Sequence, residues 1–229
     1  MKRPNQGNTR YFQKLDTCTK AYFLGFIAAD GCIQHFTKNS IGLSITLNVR
    51  DKILLEKLKE EIGNEHQIRI WSAPQTFDKN VITTFCRFQI ANKDLVNDIQ
   101  KYGITERKSL TMENIIKNIP KKFRKSFILG YFDGDGSVML PKGQIKFAKK
   151  KQEYYQLNTK QIHIDIRGTE QFLSGIAKEL KLKAYRIAKY DSTYRLSFTK
   201  KEEIKKFFNI YKDQEIFLKR KYDKFIERL

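Results

Sequence analysis

Hydrophobic and polar residues alternate in two stretches of this chain, residues 43–49 and residues 162–166. A period of two predicts a β-strand with one buried and one solvent-facing side. In both places the pattern then changes to the period of a helix, which continues to about residue 63 in the first stretch and residue 183 in the second. The chain therefore has two similar strand–helix units.

The two halves of the chain continue with the same order of elements. Further strands are predicted at 66–71 and 81–91 with a helix at 93–102, and again at 183–190 and 193–199 with a helix at 201–210. With the helix and strand that precede them, these elements predict an α+β fold of two pseudo-symmetric αββαββα halves, each with an antiparallel sheet. We expect the halves at 1–102 and 122–229, a linker at 103–121, an insertion at 141–158 and a last helix at 214–229.

A short motif is repeated at the start of each half. Residues 22–32 read YFLGFIAADGC and residues 127–137 read FILGYFDGDGS, so both contain Leu-Gly-aromatic, three further residues and Asp-Gly. A single Asp-Gly is more often only a turn that ends a helix. Two copies with the same preceding residues indicate a shared function instead.

Small residues recur four positions apart in both copies, at Gly25 and Ala29 and at Gly130 and Gly134. On a helix these positions share one face, and small side chains there allow two backbones to approach closely. We therefore predict that the two motif helices pack against each other at the centre of the protein. The aspartate of each motif would then emerge beside the other.

Asp30 and Asp135 are the two aspartates brought together in this way. Two adjacent carboxylates repel each other unless a cation lies between them, and oxygen ligands suit Mg²⁺. This arrangement predicts a magnesium site at the ends of the two helices. Gly31 and Gly136 follow the acids, and we expect them to end the helices with positive φ angles.

The composition adds a strong positive charge to this picture. The 229 residues include 45 Lys and Arg against 25 Asp and Glu, a formal net charge of +20. Because so much charge repels itself in a compact protein, a polyanion is the expected partner, and nucleic acid is the first candidate. A basic protein that binds no polyanion is the alternative.

Other classes of protein are disfavoured by the sequence. Three cysteines without a C-x-x-C pair do not support a disulfide framework or a structural zinc site, and they favour a reducing, intracellular compartment. No apolar run has the length of a membrane span, and the basic N-terminus lacks the apolar segment of a secretory signal.

The repeated motif resembles that of the LAGLIDADG homing endonuclease family. Its nine positions correspond to residues 23–31, FLGFIAADG, and residues 128–136, ILGYFDGDG. The resemblance implies a monomer of the two-motif type, with two saddle-shaped antiparallel sheets in the major groove of double-stranded DNA. It also implies Mg²⁺-dependent hydrolysis of both strands at a long target, with short 3′ overhangs; Mn²⁺ or Ca²⁺ would occupy the same sites, Ca²⁺ without turnover.

The resemblance assigns roles to individual residues. Asp30 and Asp135 correspond to the metal-binding acids, and the carbonyls of Ala29 and Gly134 to backbone metal ligands. Further residues near catalytic positions are Gln89 and Asp51 in the first half and Ser197 and Gly168 in the second, with Lys146, Arg87, Arg195 and Lys200 as other basic candidates. The sixth motif position differs between the copies, and we expect its aspartate in the second, Asp133, to be a helix-surface or capping group.

The polar face of each predicted sheet is the expected DNA-reading surface, because its residue types suit base edges. These residues are Gln34, Lys38, Ser44, Thr46, Asn48, Arg50, Gln67, Arg69, Arg87 and Gln89 in the first half and Gln161, His163, Asp165, Arg167, Arg186, Arg195 and Ser197 in the second. Lysines of the insertion, such as Lys142 and Lys146, suit phosphates. For each single residue, an ordinary solvated strand face is an equal alternative. The basic residues at 219–224 are predicted to form the charged exterior of the last helix.

Three functions fit the sequence to different degrees. A DNA endonuclease accounts for both the charge and the paired acids. An intron RNA maturase or a non-cleaving DNA-binding protein of the same fold accounts for the charge and the fold. A basic structural RNA-binding protein accounts for the charge alone.

Overall fold

The computed structural model describes residues 5, 7–75, 78–113, 115–140, 144–148, 153–157 and 161–227, and it has the predicted α+β class. The first half contains, in order, α1 (Cys18–Asp30), β1 (Gly31–Thr37), β2 (Ser40–Asn48), α2 (Lys52–Ile62), β3 (Arg69–Pro74), β4 (Ile82–Ile90) and α3 (Lys93–Gln100). The strands form an antiparallel sheet in the order β1-β2-β4-β3. The predicted αββαββα order is confirmed for this half.

The second half has the same order, with a hairpin inserted after its first strand. A short helix, α4 (Lys108–Thr111), precedes α5 (Arg124–Asp135), β5 (Gly136–Met139), β6 (Gln144–Ala148), β7 (Glu153–Leu157), β8 (His163–Gly168), α6 (Glu170–Glu179), β9 (Arg186–Tyr190), β10 (Thr193–Phe198), α7 (Lys201–Phe208) and α8 (Lys219–Ile226). The main sheet has the order β5-β8-β10-β9, and β6 pairs with β7 within the predicted insertion. Helix α8 is shorter than predicted, since it begins at residue 219 and not at 214.

Each sheet has one apolar and one polar face. In the first sheet Leu43, Ile45 and Leu47 are buried, and the residues between them belong to the opposite face. In the second sheet Ile164 and Ile166 are buried in the same way. The alternation seen in the sequence therefore orients both sheets, with the apolar side toward the helices. Among the described residues, no helix is both long and apolar enough to cross a membrane.

Helices α1 and α5 lie at the centre and are buried on almost every side. All residues of α1 from Ala21 to Ala29 are buried, so the helix has no polar face. Thr17 caps its first turn by accepting a hydrogen bond from the backbone N–H of Lys20 at 3.1 Å. A helix that is hydrophobic all round is typical of a buried position in a core.

The small residues of the motif are the contact between these helices. A Cβ atom placed on Gly25 would lie 1.9 Å from the carbonyl oxygen of Phe127, and one on Gly130 would lie 1.9 Å from that of Tyr22. The same sequence spacing separates Gly25 from Gly130 and Tyr22 from Phe127, so the two contacts are related by a pseudo-two-fold axis. The two backbones touch directly, which only glycine permits at these two positions.

The predicted positive φ angles at Gly31 and Gly136 are wrong. Their φ angles are −72° and −96°, and the chain passes from each helix directly into a strand. Glycine is required there for space instead. A Cβ on Gly31 would lie 2.6 Å from the carbonyl oxygen of Ile27, and one on Gly136 would lie 2.1 Å from the ring of Phe132.

Candidate metal centre and nucleic-acid face

Asp30 and Asp135 are the last residues of α1 and α5, and the contact between the helices brings them together. A Cβ placed on Gly134 would lie 2.3 Å from the Cβ of Ala29 and 3.0 Å from an Asp30 carboxylate oxygen. The small residues before the acids therefore set their separation. Asp30 is half-buried, and Asp135 lines a concave site beside the end of its helix.

The surroundings of both acids disfavour their charged forms. Burial raises the pKa of Asp30 to about 6, and repulsion from Asp135 adds to the effect. Burial also raises the pKa of Asp135, while Lys108 opposes the rise. Two carboxylates that are ionised at neutral pH against such a penalty have a strong electrostatic preference for a cation between them.

Lys108, in α4, caps the end of α1. Its ammonium group lies 2.9 Å from the carbonyl oxygen of Ala29 and 2.5 Å from that of Gly31. The side chain is buried, and burial lowers its pKa while the two acids oppose that change. A cation at the C-terminus of a helix is stabilised by the unpaired carbonyls there. It also places positive charge beside the carboxylates.

Lys221, in α8, makes the equivalent contact with α5. Its ammonium group donates hydrogen bonds to the carbonyls of Phe132 and Asp133, both at 2.7 Å, and to that of Gly136 at 2.6 Å. Burial lowers its pKa to about 8. Each half thus ends its motif helix on a buried lysine that comes from a distant segment.

The prediction that residues 219–224 form a charged exterior is wrong at Lys221, which is only 3% exposed. A signal was present in the sequence. Lys221 falls in the apolar stripe of Leu218, Tyr222 and Phe225, whose spacing of three to four residues marks the buried face of a helix. A lysine on such a stripe needs a buried partner, and here it has three carbonyl groups.

Asp133 is buried and not on the helix surface, so that part of its expected role is also wrong. One of its carboxylate oxygens accepts hydrogen bonds from the hydroxyl of Tyr22 and the backbone N–H of Leu218, both at 2.7 Å. Burial raises the pKa of Asp133 to about 6, while Lys221 opposes the rise. Its contact with Leu218 does cap a helix, but that helix is α8, which carries Lys221.

In the structure, the Asp51 carboxylate pairs with an arginine and does not join Asp30 and Asp135 in a common site. Its carboxylate is buried and receives two hydrogen bonds from the guanidinium group of Arg220, both at 2.8 Å. This pair links the start of α2 in the first half to α8 in the second. A bidentate pair across the halves is a structural contact, which favours a structural role for Asp51 over the predicted catalytic one.

The other candidates lie at several places relative to the acids. Gln89 is on the polar face of the first sheet, opposite Ser44, and Ser197 is at the matching place opposite Asp165. Gly168 packs on the hydroxyl of Tyr131, and Lys200 is exposed before α7. Lys146 lies in β6, and Lys142 lies outside the described residues. Among the described residues, Lys108 and Lys221 are the lysines that donate hydrogen bonds to the backbone at the ends of the motif helices.

Most of the predicted DNA-reading residues share the polar faces of the two sheets. The strand registers align Thr46, Arg87 and Arg69 across the first sheet and Arg167 and Arg195 across the second. Gln34, Asn48, His163 and Arg186 lie on the same faces by strand alternation. Lys38, Gln67 and Gln161 are off the strands, in turns or loops. Arg50 is also off the strands, in a short 3-10 helix (Val49–Asp51) that follows β2.

Two residues predicted to read bases are buried. Ser44 is 6% exposed, and so is Asp165. Asp165 lies between two basic side chains, with His163 at 3.0 Å and Arg195 at 3.5 Å. It serves to hold those side chains, because a carboxylate paired in this way has little surface left for a base.

A concave site of about 400 Å³ joins the acid of the second half to the polar face of its sheet. Asp135 lines it together with Asp165, Arg167, Tyr190 and Arg195. The site therefore combines one candidate metal ligand with the basic and aromatic side chains of β8, β9 and β10.

Comparison with known sequences identifies a domain in the second half. The sequence model of the LAGLIDADG-like domain family matches residues 122–211. In addition, 119 residues, 52% of this chain, are 30% identical to part of a DNA polymerase of Acanthamoeba polyphaga mimivirus. The chain spans 7% of the length of that polymerase.

Solved structures share the fold over both halves. The LAGLIDADG meganuclease I-AabMI, bound to uncleaved DNA, has a TM-score of 0.55 at 14% identity, covering 89% of this chain and 86% of that chain. I-SmaMI, bound to an uncleaved DNA target with calcium ions, has a TM-score of 0.56 at 16% identity, covering 93% and 89%. The second half of the chain therefore contains a LAGLIDADG-like domain, and the chain as a whole has the fold of these two meganucleases.

Proposed function

We propose that this protein is a site-specific DNA endonuclease that acts as a monomer on a long duplex target. It would hydrolyse one phosphodiester in each strand with Mg²⁺ and leave short 3′ overhangs. The observation that supports this most directly is the pair of carboxylates, Asp30 and Asp135, held together at the ends of α1 and α5. Each half contributes one acid, so one site can serve both strands.

The donor set fits magnesium. Among the described residues, no group of three or more His, Cys, Asp or Glu side chains is arranged to hold a metal. Mg²⁺ needs fewer, because it is commonly bound by one or two carboxylates plus substrate phosphates and water. Asp30 and Asp135 would hold it, with the carbonyl of Gly134 as a further oxygen. The carbonyl of Ala29 is a poorer candidate, since the ammonium of Lys108 occupies it.

When bound between the acids, Mg²⁺ would supply Lewis-acid activation of the attacking water and stabilisation of the leaving oxygen. The chain itself contributes charge and order. Lys108 and Lys221 place positive charge beside the acids, and their backbone contacts fix the ends of α1 and α5. Positioned cations of this kind stabilise the negative charge that develops on a phosphate during hydrolysis.

Duplex DNA is the partner that suits the surface. The net charge of +20 favours a polyanion, and each polar face presents arginine, asparagine or glutamine residues of the types that read bases. The similar meganucleases I-AabMI and I-SmaMI are themselves bound to DNA. A two-stranded or larger β surface fits the width of the major groove.

The proposal is tested by selecting cleaved sites from a randomised duplex library with purified protein and Mg²⁺. We expect one family of long sites, cut in both strands, with no product in EDTA. The double variant Asp30→Asn/Asp135→Asn, purified in the same way, controls for contaminating nucleases. Selective binding without cleavage would contradict the nuclease and support a non-cleaving member of the fold.

Replacing either buried lysine is expected to slow cleavage more than it weakens binding. Lys108→Met and Lys221→Met each remove a charge beside the acids, and loss of one such group typically costs about 10²–10³ in rate. The matched control is Lys224→Met, because Lys224 also donates to a backbone carbonyl, that of Val138 at 2.9 Å, from the same helix as Lys221. Single-turnover cleavage at saturating protein measures the rate separately from binding. Equal rates for Lys221→Met and Lys224→Met would contradict the role.

The metal-free protein is expected to lose stability as the pH rises from about 4 to about 6. The pKa of Asp30 is about 6 in the folded state, against an ordinary pKa of 3.8, so between these values the folded state binds more protons than the unfolded one. Asp133, with a pKa of about 6, acts in the same direction. The free energy of unfolding therefore falls as these groups ionise.

Asp30→Asn removes part of this penalty. At pH 7.5 without metal we expect the variant to be more stable than the wild type by about 1–3 kcal/mol, or a few degrees in melting temperature. At pH 4 the difference should nearly vanish, and Mg²⁺ at pH 7.5 should stabilise the wild type more than the variant. Melting curves at the two pH values measure this. A variant that is less stable at pH 7.5 would show that the penalty is absent.

A further inference from the structure

An arginine lies over an aromatic ring at the same place in each sheet. In the first half the guanidinium carbon of Arg87, on β4, lies 4.8 Å from the centroid of Trp71, on β3. In the second half that of Arg195, on β10, lies 4.8 Å from the centroid of Tyr190, on β9. Such contacts hold a guanidinium plane in a defined orientation.

The strand registers show that the two pairs are equivalent. Arg87 is paired with Thr46, the residue after the partner of the motif glycine on β1. Arg195 is paired with Arg167, which is likewise the residue after the partner of the motif glycine on β5. The two halves differ at most other positions of this face, so the repeated arginine–aromatic pair stands out from its surroundings.

Other contacts fix the first arginine further. The Nε of Arg87 donates a hydrogen bond to the hydroxyl of Thr46 at 2.8 Å. Within the described part of the chain, no hydrogen bond uses its two terminal nitrogens. The side chain is half-buried by the ring beneath it. What remains available is the edge of the guanidinium group with two parallel N–H donors.

The second arginine is held by charge. A terminal nitrogen of Arg195 lies 3.5 Å from the buried carboxylate of Asp165. The ring of Tyr190 also contacts Arg167, whose guanidinium carbon is 4.6 Å from the ring centroid. Arg195 and Tyr190 line the same concave site as Asp135. This arginine therefore lies close to the acid of its half.

We propose that Arg87 and Arg195 each read a guanine in the major groove, and that Trp71 and Tyr190 position them. A guanidinium edge donates two hydrogen bonds to O6 and N7 of guanine, an acceptor pair that no other base presents there. Because each arginine is ordered before binding, little side-chain entropy is lost on contact. The target would then carry one G·C pair on each side of the cut, at positions related by the pseudo-two-fold axis. This inference rests on the proposed function.

Sites selected from the randomised library provide the first test. We expect one guanine-specific position in each half-site, at equal distances from the cut. Binding of duplexes carrying each base at these positions is then measured for the wild type, Arg87→Ala and Arg195→Ala. Each variant should lose about 5- to 150-fold in affinity for the guanine duplex. It should bind all four duplexes alike at its own position and discriminate normally at the other.

The salt dependence distinguishes a base contact from a phosphate contact. An arginine that neutralises a phosphate lowers the affinity for every sequence equally and reduces the slope of log K against log salt by about 1 when it is removed. That result would overturn the proposal for the arginine concerned. The proposal would also be overturned if the selected sites contained no guanine whose recognition is lost in Arg87→Ala or Arg195→Ala. If the protein neither bound nor cut any duplex, the proposed function itself would fail.

Substitutions of the two aromatic residues test the positioning role while leaving both arginines in place. Trp71→Phe and Tyr190→Phe keep a ring beneath each guanidinium, whereas Trp71→Leu and Tyr190→Leu keep apolar volume without one. We expect the leucine variants to lose guanine discrimination at one position each and the phenylalanine variants to retain most of it. Equal discrimination by the two kinds of variant would overturn the positioning role.

Discussion

Asp30→Asn and Asp135→Asn are each expected to abolish double-strand cleavage, lowering the rate by at least about 10³. A metal-bound site contributes several kcal/mol of charge stabilisation in hydrolysis, and about 1.4 kcal/mol corresponds to a factor of ten. Asparagine keeps the size of the side chain but removes the charge that favours a cation. Since the two acids share one site, either change should disable both strand cuts.

The measurement uses a supercoiled plasmid with one target site, so that nicking and linearisation are followed separately. Binding without cleavage should persist in both variants and weaken steeply with salt. The control is Asp191→Asn, because Asp191 is exposed in the turn after β9 with a left-handed φ of 52°, which asparagine tolerates. Either acid variant cutting both strands at the wild-type rate would contradict the shared site.

The parts of this fold that follow local rules could be predicted from the sequence. Strand alternation gave the orientation of both sheets, since a period of two leaves one choice of buried face. The glycines at positions 25 and 130 predicted the helix contact, because an unfavourable residue in the middle of a helix indicates that another backbone lies close. Both signals lie within a few residues of the structure they determine.

The lysines at the motif helices could not be placed in this way. Lys108 and Lys221 reach α1 and α5 from segments 79 and 89 residues away along the chain. Nothing in the motif specifies them, because backbone carbonyls accept a hydrogen bond from a cation of any segment that folds onto them. The stripe position of Lys221 showed that it is buried, but not what it contacts.

The consequences of the asymmetry between the two halves became visible only in three dimensions. Asp133 fixes the start of α8, which carries Lys221, whereas the equivalent residue of the first half is the buried Ala28. Arg167 shares the ring of Tyr190, whereas the equivalent residue beside Arg87 is Thr46. The halves therefore share acids, lysines and a stacked arginine but differ in the groups that hold them.

Gly25→Ala is expected to destabilise the protein by more than about 3 kcal/mol, although alanine is the better helix former by about 1 kcal/mol. The added Cβ would lie 1.9 Å from the carbonyl oxygen of Phe127, far inside van der Waals contact. A flexible side chain could move aside, but a backbone carbonyl in a central helix cannot move without separating α1 from α5. Overpacking against side chains already costs about 1–3 kcal/mol, and a domain has only about 5–15 kcal/mol in total.

Gly63→Ala separates this effect from the general cost of replacing glycine. Nothing lies within 4 Å of a Cβ on Gly63, and its left-handed φ of 69° alone should cost alanine about 1–2 kcal/mol. Urea unfolding gives the free energy of unfolding of both variants. The loss in Gly25→Ala reports the clash between the helices, and the loss in Gly63→Ala reports backbone strain alone. Gly25→Ala should also lose cleavage under conditions where it remains folded, because the same separation moves Asp30 away from Asp135. A Gly25→Ala variant as stable as Gly63→Ala would mean that the two helices do not touch through their backbones. It would then also contradict the proposed metal site, because that site depends on the same helix contact.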